Sequence, residues 1–338
     1  FVPRFNHTDT QQYISTIDYI LDKGEGELFL HRILKPLPIL ISVFLNPILS
    51  PANSLIFQNL IFYFLSVLLI FFIVFRIYQN EKQAFYATVL YVGAYPMLAY
   101  GLAVLTDLSG WFFYLLSVFL SLNFLKKNSF KTALSAGFIA GLGMLFKEST
   151  AAAPIFFASL VFIATQLKVK EKLKYIFVFG TAFLLPVVIN SFFIYKIYSY
   201  SYLHWYRDVW HYQEGGIYAY SFLRILIEIG RVFALGWVFV LLGALKEFSI
   251  KNKERLKILI VFLFASLSFF LWSFPHNRII FIAAPILTLL GSFGLLRKTN
   301  NPKINIVIEL ISLSFYVLVN YFLLEFLLRY GIFLQNKF

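Results

Sequence analysis

Long apolar runs broken by short polar interruptions organise the chain. Ten of them are long enough to cross a bilayer, at residues 54–75, 84–105, 108–125, 132–146, 150–167, 175–195, 222–245, 258–274, 279–296 and 304–328. The run 132–146 is the shortest. Ala133, Ala136, Gly137, Ala140, Gly141 and Gly143 give it the small-residue surface of a helix packed among other helices rather than against lipid. Ahead of these runs, residues 8–21 place Tyr13, Ile14, Ile17, Ile20 and Leu21 at helical spacing behind Thr8 or Asp9 as N-cap. This predicts an amphipathic helix lying at the membrane surface, ended by Gly24 and Gly26. Residues 39–49 follow Lys35-Pro36-Leu37-Pro38 and are apolar but too short to span, which predicts a second interfacial or re-entrant helix.

The pattern as a whole predicts an all-α, polytopic transmembrane bundle. No period of 20 to 50 residues repeats and no soluble boundary appears, so residues 1–338 form one domain, with 1–50 an extracytoplasmic loop and 54–328 the spans. Residues 1–31 already read as an outer loop, so a first span is expected ahead of Phe1.

Composition sharpens this picture. Of 338 residues 60% are apolar and 13% charged, with mean hydropathy +0.78, against about half and about a quarter in soluble domains. Soluble enzyme folds are excluded. The absence of Cys removes disulfides, thiolate metal sites and a Cys nucleophile together. The net charge of +13 raises the question of a nucleic-acid partner, but the positions of the charges answer it otherwise. Alternate connections, 76–82, 126–131, 168–174, 246–257 and 297–303, hold 17 of the 29 Lys and Arg residues. The positive-inside rule makes that side cytoplasmic, so the charge is a topology signal and no nucleic acid is implied. The absence of Cys with abundant Phe, Ile and Lys fits an integral protein of a prokaryotic plasma membrane.

The candidate chemistry lies on the opposite, outer side. All five His (His7, His31, His204, His211 and His276) fall there, with nine of the sixteen acids. Asp107 and Glu148 sit in very short turns between spans, where a carboxylate is hard to solvate and costly to bury. Residues 198–220 carry seven Tyr with Trp205 and Trp210, either an interfacial belt or a surface that stacks on a sugar or an isoprenoid, and Gly215-Gly216 offers a hinge. Arg224, Glu228 and Arg231 share one helix face. Arg231 falls on the order of 13 Å along that helix, deep enough to require a partner or a wet cavity.

Neither a phosphate-cradling Gly-rich loop nor an Asp-x-Asp metal motif is present, which argues against a nucleotide-sugar donor. An isoprenoid-phosphate donor suits a wall of spans with outward cations, because its tail enters between helices while Arg or Lys holds the phosphate. The reaction then needs a base for the acceptor hydroxyl, and Asp9 is the first choice, with Asp107 and Glu148 as companions. Lys35, Arg32, Arg231, Lys147 and Arg278 are the candidate phosphate-binding cations. His7, Tyr13, His276 and Trp205 are candidate substrate contacts. A divalent ion, Mg or Mn, could bridge Asp9, Asp107, Glu148 and a His.

These residues resemble a known family. The order is His7-Thr8-Asp9-Thr10-Gln11-Gln12-Tyr13, then Arg32 and Lys35-Pro36-Leu37-Pro38, then Thr106-Asp107-Leu108-Ser109-Gly110 after a Pro-bearing span. Ala140-Gly141-Leu142-Gly143, Phe146-Lys147-Glu148-Ser149 and Pro275-His276-Asn277-Arg278 follow. The pattern is similar to that of the polytopic GT-C glycosyltransferases, which include protein O-mannosyltransferases and the enzymes that add aminoarabinose to lipid A. The resemblance implies a GT-C-like fold, Asp9 as the catalytic carboxylate of the first outer loop, Lys35 on the donor phosphate and Asp107 in the next acidic turn. Many relatives carry an acidic pair where Asp9 is followed by Thr10, which leaves the choice of base open.

The expected function is inverting transfer of a sugar from a polyprenyl-phosphate donor to a protein, lipid or glycan acceptor at the extracytoplasmic face. A transporter or flippase of a lipid-linked or small polar substrate is the main alternative, and it would use Glu309 and Glu325 of the last span. A surface-polysaccharide polymerase or ligase, with a diphosphate-linked donor, is the other.

Overall fold

The computed structural model describes residues 8–24, 26–212, 222–271, 276–297 and 301–335, and among these no strand occurs. The chain opens with α1 (Thr8–Ile20), α2 (Leu30–Ile33) and α3 (Pro36–Leu45). Then come α4 (Pro51–Tyr78), α5 (Glu81–Val92), α6 (Tyr95–Tyr100), α7 (Asp107–Lys127) and α8 (Phe130–Met144). A 3-10 turn at Glu148–Ala151 leads into α9 (Ala152–Ala164), followed by α10 (Val169–Tyr198) and α11 (Tyr202–Tyr212). The remainder is α12 (Phe222–Phe233), α13 (Gly236–Ile250), α14 (Lys253–Ser266), α15 (Asn277–Ile280), α16 (Ala284–Leu295) and α17 (Pro302–Gln335).

The surface helix expected near the N-terminus is α1. It starts at Thr8, so Asp9 lies in its first turn, where the helix dipole favours a carboxylate. It ends with Asp22 and Gly24 at φ 54° and 76°. The short apolar helix after Lys35 is α3, with Pro36 in its first turn, where the missing N–H is harmless.

Within the described residues each of the ten apolar runs is largely helical, but fewer helices are long and apolar enough to cross a bilayer unbroken. Five stretches are long and apolar enough: α4, α7, α10, Asn277–Leu295 and Pro302–Phe326. The pair α12 and α13 makes a sixth if it is one span, yet the two helices meet at 85°, which corrects the straight helix expected over 222–245. The break falls at Ala234, in the left-handed region with φ 39°. Across it the indole N–H of Trp237 donates to the Ile229 carbonyl at 3.1 Å, satisfying an acceptor freed at the end of α12. Hydropathy registers apolar length and is blind to such a break.

The small face of α8 packs on α10, as its composition suggests. A methyl group at Gly137 would overlap the Phe179 carbonyl, and one at Gly141 would overlap the Phe183 carbonyl and the Pro186 ring. Phe157 of α9 stacks on Phe179 with centroids 4.4 Å apart. Phe64, Phe177, Phe192, Ile311 and Phe322 point outward instead, the arrangement expected of side chains facing lipid.

Contacts among the connections rich in Lys and Arg gather them at one end, the basic end: Arg76 Nη2 donates to the Leu122 carbonyl, Tyr175 Oη to the Asn128 carbonyl, and the Tyr78 ring meets both Arg255 and Phe293. There Glu309, fully buried, accepts from Tyr86 Oη at 2.7 Å and from the Arg297 N–H at 2.7 Å, and pairs with Lys82 Nζ at 2.5 Å. The carboxylate that a transporter would use is therefore committed to tying α5, α16 and α17 together.

Candidate active site

At the other end, α1 lies over the irregular stretch 101–106. Thr10 Oγ1 donates to the Val104 carbonyl at 2.8 Å, and Tyr13 Oη lies 3.0 Å from Thr106 Oγ1. From below, Asn59 of α4 donates through Nδ2 to the carbonyls of Ala103 and Leu105, at 2.6 and 2.7 Å. These bonds satisfy backbone groups that a helix would otherwise pair internally. They also set Asp107, the first residue of α7, beneath the α1 face that carries Asp9, Gln12 and Tyr13 at i, i+3 and i+4.

Seven charged side chains from five parts of the chain form one alternating series. Arg32 Nη2 is 2.6 Å from Asp9 Oδ1, and Asp9 Oδ2 accepts from Arg278 Nη1 at 3.0 Å. The same Arg278 nitrogen is 3.5 Å from Asp107 Oδ2, and Asp107 Oδ1 is 3.5 Å from Lys147 Nζ. Lys147 Nζ is 3.8 Å from Glu148 Oε1, and Glu148 Oε2 is 2.5 Å from Lys35 Nζ. Lys35 and Asp107 are shut away from solvent at 2% and 3% exposure, whereas the side chains of Asp9 and Arg278 keep 19% and 20%, so the series is buried at one end and reaches solvent at the other.

Local features explain how the charges reach one another. Gly110 lies one turn after Asp107, where a methyl group would overlap Ser149 Oγ and the Lys147 side chain, so only glycine lets Lys147 approach Asp107. Thr150 Oγ1 fixes that approach by donating to the Gly110 carbonyl at 3.2 Å. The Leu37 N–H donates to the Leu145 carbonyl at 3.2 Å, tying Lys35 to the turn that carries Glu148. Tyr202 of α11 donates to the Leu34 carbonyl at 2.7 Å, and the Trp205 ring lies 5.0 Å from Lys35 Nζ. Tyr13 faces the Arg32 guanidinium at 4.8 Å.

Three supports, Gln12, Glu228 and Trp111, were not evident in the sequence. Gln12 Oε1 accepts from Arg32 Nε at 3.1 Å and Nη2 at 2.5 Å, and lies 3.0 Å from His31 Nε2. Its place three residues after Asp9 was the available signal. Glu228 Oε2 accepts from the Asn277 N–H and Nδ2 at 3.2 and 2.8 Å, and Trp111 Nε1 donates to the Arg278 carbonyl at 3.2 Å. No sequence pattern links these helices.

Arg231 stands one step away from the series. It pairs with Glu228 at 2.8 Å, and Glu228 in turn accepts from Asn277 beside Arg278, so the intrahelical neutralisation by Glu228 is what the structure records. His276 sits at the start of α15, its ring 6.0 Å from that of Tyr100. His7 and the Gly215-Gly216 hinge lie outside the described residues, as do the side chains of Trp210 and His211. Arg278 separates Asp9 from Asp107, and Lys147 separates Asp107 from Glu148. Among the described residues no three Asp, Glu or His converge as a metal site.

The electrostatics follow from the alternation. Burial alone would raise the pKa of Glu148, but the charges of Lys147 and Lys35 outweigh it and bring the value from 4.5 down to about 2. Burial opposes the charge on Lys147, yet Asp107 and Glu148 hold its pKa above the ordinary lysine value. His31 has no such compensation: burial, then the neighbouring Arg32 and Lys35 charges, lower it from 6.5 to about 4. It is therefore neutral near pH 7, which suits donation from Nε2 to Gln12.

Comparison with known proteins adds two findings. Residues 37–194 match the family described as dolichyl-phosphate-mannose-protein mannosyltransferase. The fold is similar to that in the crystal structure of ArnT from Cupriavidus metallidurans bound to undecaprenyl phosphate, with TM-score 0.66 and 12% identity. The match covers 91% of this chain and 59% of that one, so this chain spans about three-fifths of the ArnT length. No curated protein sequence gives a significant match.

Proposed function

We propose that this chain, which has the fold of the GT-C integral-membrane glycosyltransferases, transfers a sugar from a polyprenyl-phosphate donor to an acceptor hydroxyl with inversion. The observation that carries the reading is the alternating series. Four cations, Arg32, Lys35, Lys147 and Arg278, face three carboxylates, Asp9, Asp107 and Glu148, and leave a net charge of +1. A sugar phosphodiester brings one negative charge and completes the balance. A diphosphate brings more than the cluster can neutralise, and burying the surplus is costly.

The donor phosphate enters by exchange with a carboxylate for one of the cations. A carboxylate shared by two guanidiniums is a poor proton acceptor, and Asp9 is so shared. When Arg278 turns to the phosphate, Asp9 keeps only Arg32 and becomes competent as base. The acceptor oxygen then attacks the anomeric carbon, the bond from that carbon to the phosphate oxygen breaks with its electron pair, and the hydroxyl proton passes to Asp9. The leaving phosphate gains a charge, which Lys35, Lys147 and Arg278 stabilise without a general acid. Trp205 flanks the Lys35 end of the series and supplies a stacking surface for substrate, while the buried Tyr13 holds the Arg32 end in place. The positive-inside rule, applied to the basic end, supports a site at the extracytoplasmic face.

The test reconstitutes the purified protein in vesicles with polyprenyl-phosphate and polyprenyl-diphosphate sugars, and follows formation of a glycosidic bond. Transfer is expected from the monophosphate donor, falling at least ~100-fold in Asp9→Asn. Equal rates in the two proteins would remove Asp9 as base. Movement of lipid-linked sugar without a new bond would replace the enzyme with a transporter.

A further inference from the structure

At the Asp9 end of the charged series lies a neutral group with a crowded oxygen, the Gln12 amide. Its Oε1 accepts from Arg32 Nε at 3.1 Å and from Arg32 Nη2 at 2.5 Å, and it lies 3.0 Å from His31 Nε2. A guanidinium only donates, so the oxygen of the amide is the atom turned towards Arg32. That oxygen only accepts, so Nε2 is the nitrogen of His31 that carries the proton. Three donors from α2 therefore pin one side chain of α1 in a single orientation.

The Nε and Nη2 edge of an arginine is a fork that matches a carboxylate through both of its oxygens. Here the neutral amide occupies that edge. Asp9 receives one bond from Arg32, from Nη2 to Oδ1 at 2.6 Å, while its Oδ2 accepts from Arg278 Nη1 at 3.0 Å. Asp9 and Gln12 lie three residues apart on one face of α1, so both approach the same guanidinium from the same helix. Without the amide the fork is open to Asp9, and Arg32 can then engage both carboxylate oxygens. A carboxylate gripped in that way holds a proton more weakly, because the paired form is the charged one.

We propose that Gln12 is a positioning residue of the transfer site, occupying the Arg32 fork and so keeping Arg32 off Asp9 Oδ2, the oxygen that receives the acceptor proton once Arg278 has turned to the donor phosphate. The inference rests on the reading of Asp9 as base. Around Asp9 the other titratable or charged groups are His31 and Arg32 on α2, Tyr13 on its own helix, Arg278 at the start of α15, and Asp107 at the head of α7 with Lys147 behind it. Lys35 and Glu148 lie farther along the series. Substitution of Gln12 leaves each of these groups in the chain, so a change in the pH profile reports how Arg32 is shared.

The test follows sugar transfer from the polyprenyl-phosphate donor in reconstituted vesicles and compares the pH dependence of kcat in wild type, Gln12→Leu and Gln12→Glu. Gln12→Leu opens the fork to Asp9, so the acidic limb should move down by about one pH unit, with kcat about tenfold lower and the donor KM unchanged. Gln12→Met, closer to glutamine in shape, should repeat that result. Gln12→Glu places a carboxylate in the fork, which draws Arg32 from Asp9 and adds a negative charge beside it, so the limb should move up by about one unit. Loss of packing alone does not produce opposite shifts. Limbs that stay in place, or that move in the same direction in the Leu and Glu variants, would overturn the proposal even where rates fall. Asp9→Asn in the same vesicles separates the two levels of the argument. Transfer that survives Asp9→Asn removes the base itself, whereas an inactive Asp9→Asn beside unmoved limbs in the Gln12 variants removes Gln12 alone.

Discussion

Asp9 and Arg278 stand 269 positions apart in the chain, yet Arg278 Nη1 donates to Asp9 Oδ2 at 3.0 Å. That bond joins the surface helix α1 to the start of the α15–α16 span. The same nitrogen is 3.5 Å from Asp107, so one guanidinium serves two carboxylates that would otherwise repel each other. Arg278→Lys keeps the charge but offers a single ammonium in place of a planar fork. It should lower transfer about 10²-fold or more, as loss of a preorganised donor does elsewhere. Initial rates over a range of lipid donor would read this, and an unchanged kcat/KM would remove Arg278 from donor binding.

Gly110→Ala is expected to damage the site without removing any charged group. Its methyl would overlap Ser149 Oγ and the Lys147 side chain, forcing Lys147 away from Asp107. Overpacking of this kind costs about 1–3 kcal/mol, while alanine slightly favours the α7 helix itself. The expected result is a raised KM for donor with helical content by circular dichroism unchanged. Normal kinetics would mean that the turn at 147–149 adapts freely.

Acid should weaken the site in two stages. His31 is depressed in the folded protein from 6.5 to about 4, so as pH falls through 6.5 the unfolded chain takes up the proton first. Its contribution to stability is complete above about 6.5 and is lost on the way to 4. Glu148, depressed from 4.5 to about 2, contributes above about 4.5 and loses that contribution as pH falls towards 2. Thermal unfolding in detergent should show a declining midpoint across both windows. His31→Gln should flatten the upper one alone, and a wild-type profile in that variant would assign the upper window to another group.

Much of this was legible from local pattern. The spacing of Tyr13, Ile14 and Ile17 marks α1, the Ala and Gly positions mark the packed face of α8, and the short turns around Asp107 and Glu148 mark carboxylates that need partners. These signals lie within one element, where period and composition act directly. What escaped the sequence depends on which elements meet. The contact of Glu228 with Asn277 crosses 49 positions, and the 85° bend at Ala234 leaves no mark on hydropathy. The continuity of the charged series is likewise a property of tertiary packing, because its members come from five segments that meet only in the folded chain.

Glu309 separates a structural carboxylate from a functional one. It is fully buried, and its oxygens are taken by Lys82, Tyr86 and the Arg297 N–H. A transported cation or proton would have to displace partners that hold three helices together. Glu309→Gln keeps the shape but loses the charge opposite Lys82 and one acceptor, which should cost about 1–3 kcal/mol of stability. Because the site end lies at the far side of the bundle, transfer by the folded fraction should remain at the wild-type KM for donor. Unfolding midpoints and donor kinetics measured on one preparation separate the two roles: a lower midpoint with intact KM fits the anchor, whereas an intact midpoint with lost activity would make Glu309 part of the working machinery.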